Sequence, residues 1–275
     1  MSNKQFCLVQ LGRLLLAMGL LFLSLGSSAN SNFKGMKTNF EYSLKVNVDY
    51  SKRESFLKRT GEPPSNYEKL MKSINGTVEI ADVVDTVQFS SDKYTIRSVG
   101  TLNGVLGYAL SQQRLTRDSL GNKTPQGYSS LVYQEVRGNT EPFQARVDQK
   151  KNILNFTTNN TPTGQAPLQN RLLDPLMIAY AFIDQELPKK TFIANFTDGR
   201  SVRKYSLLRG ESVELTVNGQ KVKAVHFYKT TSKDDETSLQ LWFSEKEHIP
   251  LKSVIGLKDE YGITIQLDLK KIPSL

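Results

Sequence analysis

The chain has 275 residues, 38% of them hydrophobic, and its 36 Lys and Arg against 27 Asp and Glu give a formal charge of +9. Its single cysteine, Cys7, lies close to the start, which excludes disulfide frameworks, Cys-ligated zinc and iron–sulfur clusters from the rest of the chain. The basic residues are spread out rather than gathered on one helix, and no aromatic RNA-binding signature accompanies them, so nucleic acid is not expected as a partner.

The first residues form an export signal. Lys4 and Arg13 precede the apolar run Leu14–Gly26, and no acidic residue appears before Glu41. Thirteen residues suit a signal core and fall short of the roughly 20 that span a bilayer as a helix. Small residues at Ser27-Ser28-Ala29 predict cleavage after Ala29, which places residues 30–275 in the periplasm as one mostly-β domain without a stable transmembrane segment. That part carries 34 basic and 27 acidic residues, and its surplus of +7 could attract anionic headgroups or glycans.

The first predicted strand alternates Tyr42, Leu44, Val46, Val48 and Tyr50 with polar residues. Residues 51–74 then read as a basic loop bearing Lys52, Arg53, Lys58 and Arg59, with a short helix over Ser65–Lys72. Strands are predicted at Gly76–Ile80, Val83–Ser90, Tyr94–Thr101, Gly104–Arg114 and Tyr128–Arg137, with polar loops at 115–127 and 157–167. Asp174-Pro175 has the chemistry of a helix start. Leu176, Tyr180, Ile183 and Leu187 recur behind it at helical spacing up to Pro188, which predicts the one main helix. From Thr191 a meander follows, with Asn218-Gly219 as a hairpin turn and Ile263, Ile265, Leu267 and Leu269 alternating along the last strand.

Catalytic and metal motifs are missing. Ser-x-x-Lys occurs at Ser55/Lys58, Ser90/Lys93 and Ser201/Lys204, but none opens a buried helix as acyl enzymes require. His226 and His248 are the only imidazoles and form no zinc-binding pair on a helix. His226 belongs to an alternating strand face and His248 to a turn. Asp234, Asp235 and Glu236 read as a solvated hairpin tip rather than a calcium site. Gly100, Gly104 and Gly107 have the wrong spacing for a phosphate loop. No cofactor or metal is implied, and Trp242, the sole tryptophan, reads as core or pocket wall.

Three segments carry a family resemblance. Arg171-Leu-Leu-Asp174-Pro175-Leu, Gly210–Gly219, and Leu241-Trp242-Phe243-Ser244 followed by Ile249-Pro250-Leu251-Lys252 resemble motifs of exported bacterial proteins catalogued as domain of unknown function 3108. The likeness runs over roughly Asn39 to Ile272 and is strongest from Arg171 onward. It implies a mainly-β fold, a curved antiparallel sheet (half-barrel or β-spiral) wrapped around the main helix, similar to the LolA/LolB-like half-barrels that carry lipoproteins across the periplasm. No catalytic residues come with the family.

Two functions are expected from this. One is a non-enzymatic envelope protein that binds a lipid or other amphiphile inside the sheet, lined by Leu173, Leu176, Tyr180 and Ile183 with Trp242 opposite. The other is a packed protein that meets a lipoprotein, another protein or an envelope glycan through its surface, at Lys52, Arg53, Lys58 and Arg59.

Overall fold

The computed structural model describes residues 35–64, 66–103, 114–138, 141–229 and 237–274. The expected signal segment, most of the strand expected over Gly104–Arg114 and the expected 234–236 acidic tip lie outside the described residues. Among those described, strands β1 (Met36–Val48), β2 (Gly76–Phe89), β3 (Lys93–Leu102), β4 (Arg114–Thr124), β5 (Gly127–Arg137), β6 (Phe143–Asp148), β7 (Ile153–Thr158) and β8 (Thr161–Pro167) form a meander. A second meander comprises β10 (Thr191–Thr197), β11 (Val202–Val217), β12 (Gln220–Lys229), β13 (Ser238–Ser244), β14 (Pro250–Gly256) and β15 (Ile263–Leu269), with the short β9 (Leu172–Leu173) added to β10 in parallel. The N-terminal strand joins the two by pairing with both β2 and β15, giving one sheet of order 8-7-6-5-4-3-2-1-15-14-13-12-11-10-9.

The sheet curls until β9 meets β5, where Ser129 Oγ accepts from the Leu172 N–H at 2.9 Å. Beyond that seam β6–β8 continue the spiral, and Ala145, Leu154 and Phe156 pack with Leu172 and Val202 as a small separate core. The outer edge is β8, exposed along almost its whole length, where Pro162 and Pro167 lack the N–H groups a further strand would need.

Several elements differ from the sequence expectation, each for a physical reason. The two strands expected over residues 76–90 are one, because Ile80 bulges between the pairs Leu44–Ala81 and Lys45–Glu79 and resets the alternation. The expected loop at 115–127 is mostly β4, whose inward positions carry Arg117, Ser119 and Gly121 instead of apolar residues. The expected loop at 157–167 is largely edge strand, polar because both faces meet solvent. The first part of the expected basic loop is instead the helix α1 (Tyr50–Thr60), ended by Gly61 in the left-handed conformation, whereas the short helix expected over Ser65–Lys72 forms as α2 (Asn66–Ile74). Leu57 is the only fully buried residue of α1, too little for an apolar stripe to show.

The largest correction concerns the main helix. Residues 175–184 form turns around a single 3₁₀ segment, Met177–Tyr180, and the chain to Leu187 is irregular, so the expected α-helix is absent. The start signal is real: Asp174 Oδ1 accepts from the N–H groups of Leu176 (2.9 Å) and Met177 (3.0 Å). The stretch behind it is apolar on every side. Leu176, Met177, Ile178, Tyr180, Ala181, Phe182 and Ile183 are all buried, so packing from all directions dictates the path and no solvent face selects a regular helix. This segment plugs the curled sheet. Phe182 sits among Phe192, Phe227 and Phe243 with ring centroids 4.6–5.7 Å away, and Tyr180 packs on Phe40 at 5.1 Å.

The Asn218-Gly219 hairpin forms as expected, with φ of 47° and 77° that suit a type I′ turn.

Candidate ligand-binding cleft

The inner wall of β2–β5 carries a row of polar residues in register. Asp85 pairs with Ser98, Ser98 with Arg117 and Arg117 with Glu135, so one rung across four strands holds two carboxyls and a guanidinium, all buried. The Tyr180 hydroxyl of the plug donates to Asp85 Oδ2 at 2.9 Å and lies 3.1 Å from the Tyr42 hydroxyl. Burial pushes the Asp85 carboxyl up from its ordinary range, against the Ser98 hydrogen bond, the Arg117 charge and the Tyr180 hydrogen bond. Glu135 accepts from Tyr133 Oη at 2.7 Å and is ion-paired with Arg137.

Two further polar anchors hold the plug to this wall. Ser119 Oγ donates to Asp174 Oδ2 at 2.5 Å, and Tyr94 Oη binds Ser119 and Ser130 at 2.9 and 2.8 Å. Burial raises the Asp174 carboxyl as well. At the plug's far end Lys123 pairs with buried Asp184 at 2.5 Å, and Arg171 Nη2 donates to the Ala181 carbonyl at 3.0 Å. Desolvation lowers the Arg171 guanidinium to about 10, partly offset by Asp184. Gly127 has φ of 109° and no side chain, which leaves room for Gln185 of the plug against its backbone.

Between the plug and the strands lies a partly open cleft of about 80 Å³. Leu176 and Ile178 of the plug, Val83 of β2, and Leu239, Ile255 and Leu267 of β13–β15 give it an apolar lining. Tyr42, Asp85 and Arg117 are the polar residues at its wall beside the plug. Two of their atoms are buried without a hydrogen-bond partner, Asp85 Oδ1 and Arg117 Nε. An unmet buried donor or acceptor costs about 1–3 kcal/mol, which a water or another polar group beside this pair would offset.

The residues expected from sequence to line an interior are only partly together. Leu176 borders the cleft, whereas Leu173, Tyr180 and Ile183 are buried in the surrounding core. Trp242 borders the cleft but alternates with the buried Leu241 and Phe243 along β13, which turns its side chain to the other face. Its indole lies flat on His226, centroids 4.4 Å apart, with the Lys252 ammonium 5.4 Å from the ring. His226 shares the strand face expected for it, and His248 sits in the turn before β14 with φ of 55°.

On α1, Lys52, Lys58 and Arg59 are exposed, and Lys58 pairs with Glu54 at 3.1 Å. Arg53 is not a surface residue. Its side chain is 12% exposed, its Nη2 bonds Glu68 of α2 at 2.7 Å, and its guanidinium stacks over Phe56, so it ties the helices together. The Ser-x-x-Lys serines spend their hydroxyls locally, Ser55 on the Ser51 carbonyl, Ser90 on Asp92 and Ser201 on Asp198.

Sequence reasoning missed Asp85 and Arg117, though Asp85 had a readable signal. It interrupts the inward series Ala81, Val83, Val87 and Phe89, and an acid at a core position of an alternating strand is a polar group in need of a partner. Among the described residues no group of three His, Cys, Asp or Glu side chains is placed to hold a metal, and no helix is long and apolar enough to cross a membrane.

A family model described as "Protein of unknown function (DUF3108)" matches residues 69–270, well over half of the chain. The chain belongs to the DUF3108 family. The match takes in β2–β8 as well as the segment from Arg171 onward where the motifs are plainest, while β1 and α1 precede it. The three motifs have structural work in this fold: Asp174 pins the plug, Asn218-Gly219 turns the hairpin, and Trp242 stacks on His226. Among solved structures, a β-barrel-like protein of domain of unknown function DUF1849 from Brucella abortus is similar, at 9% identity and a TM-score of 0.43 over 84% of this chain and 95% of that one. None of the curated proteins compared matches the chain.

Proposed function

We propose that this DUF3108 member is a non-enzymatic binding protein of the periplasm that takes part of an amphiphile into the cleft beside its plug. The observation that supports this is the pairing of an apolar lining with two buried polar atoms that lack partners, Asp85 Oδ1 and Arg117 Nε. The expected whole-lipid cavity is reduced in this reading. The plug fills the interior, and about 80 Å³ is below the roughly 300–1,000 Å³ of a drug-sized pocket. The cleft therefore takes one end of a ligand, and the rest leaves through its open side. Native mass spectrometry of the protein purified without detergent tests this. A discrete added mass, released on solvent extraction, is expected; a bare mass that persists after incubation with envelope lipids would count against it.

The filled interior also favours a second reading, in which the outer surface meets a protein or glycan and the polar rung only positions the plug. Lys52, Lys58 and Arg59 on α1 would be the contact. Reversal of charge at Lys58 and Arg59 should then remove co-purifying envelope partners, and an unchanged set would argue against it.

A further inference from the structure

We propose, resting on the reading of the cleft as a binding site, that it selects amphiphiles ending in a single carboxylate, which Arg117 receives. Arg117 is 6% exposed and borders the cleft with its Nε lacking a partner, so it offers a charged donor from inside an apolar wall. A guanidinium keeps its charge when buried and suits carboxylate geometry.

The neighbouring charges narrow the ligand further. Glu135, next on the rung, is already matched by Arg137 and the Tyr133 hydroxyl. Lys252, also at the cleft, stands over Trp242 and 3.9 Å from Asp268 on the outer face. Of the two cations that line the cleft among the described residues, Arg117 is thus the one not engaged with Trp242 and Asp268, enough for a monoanion and too little for a phosphate dianion, which would also face Asp85. An ammonium headgroup would be repelled by Arg117. Asp85 complements a carboxylate in its protonated form, donating from Oδ1 while Oδ2 accepts from Tyr180, and burial favours that form. At about 30 Å³ per packed water-sized group the cleft holds about three, room for a carboxylate and the carbon next to it.

The test is titration calorimetry of the protein, expressed from its full-length sequence, with decanoate, decanol, decylamine and decyl phosphate. Decanoate is expected to bind roughly ten- to a hundredfold more tightly than decanol, the size of one charge-assisted hydrogen bond, and decylamine more weakly than either. Arg117→Gln should bring decanoate down to the decanol level while leaving decanol within about twofold. Should the variant not fold, the ranking of the four probes on the wild-type protein decides alone. Equal binding of decanoate and decanol, or a preference for decyl phosphate or decylamine, would overturn carboxylate selection and leave the cleft reading standing. Binding of none of the four would overturn the cleft reading itself.

Discussion

The two halves of the curled sheet face the same plug with opposite chemistry. The inner face of β10–β13 is mostly apolar and aromatic, with Phe196, Leu207 and Leu241 buried, Phe192, Phe227 and Phe243 ringing Phe182, and Lys229 as a buried charge. The inner face of β2–β5 presents Asp85, Ser98, Arg117, Ser119, Ser130 and Glu135, all buried, to Asp174 and Tyr180. The difference separates two tasks. Non-directional apolar contact supplies the stability, whereas hydrogen bonds of fixed direction set where the irregular plug sits. A ligand that reads direction and charge belongs on the second half.

The contrast can be broken from the apolar side with the largest effect. Phe182→Ala should destabilise the protein by about 3–5 kcal/mol through the cavity left among three rings, read as a lower urea midpoint with an unchanged slope. On the polar side Asp174→Ala strands the N–H groups of Leu176 and Met177 and the Ser119 hydroxyl, at a cost of about 2–4 kcal/mol. Asp174→Asn keeps one carbonyl oxygen as an acceptor and should recover part of that loss. Were Asp174→Ala neutral in the same denaturation assay, the directional role of this half would be wrong.

Asp85 sharpens the comparison through pH. Its folded pKa is raised, so the native state holds this proton over a range where the unfolded chain, titrating near 3.9, has released it. The stability it contributes is full below the unfolded value and is lost as pH rises through the folded one. Asp85→Asn cannot lose a proton, so denaturation midpoints from pH 3.5 to 7 should fall less with rising pH in the variant than in the wild type. Parallel curves would show that Asp85 titrates in the folded protein as it does in the unfolded chain. The exposed Asp49 and Asp82, with lowered pKa, act in the opposite sense, which is why the wild-type curve alone is not diagnostic. The smallest effect is expected on the outside, where Lys58→Ala, which removes the pair with Glu54, should shift stability by no more than about 0.5 kcal/mol.

How much of this was legible in the sequence obeys the same division. Strands with clean alternation, such as β1, β3 and β15, and the Asn218-Gly219 turn could be located because one side of each is apolar or one turn chemistry is required. β4 could not, since its inner face is the polar rung and it resembles a loop in composition. The plug misled for the converse reason. Asp174-Pro175 is a genuine cap, yet the residues after it are buried on all sides, so their spacing carries no information about a helix axis. The family motifs located the plug and Trp242 but not the cleft, because Asp85 and Arg117 come from strands 32 residues apart in sequence and share a rung only through strand register.

The central claim, that the polar half of the interior is a binding surface and not only a support for the plug, is most directly tested by a crystal structure of the protein grown with decanoate. The account predicts a carboxylate within hydrogen-bond distance of Arg117 Nε, with the chain running along Leu176 and Ile178 toward the open side. An ordered water joining Asp85 Oδ1 to Arg117 Nε, with no decanoate in the cleft, would contradict it and leave the rung as structure alone.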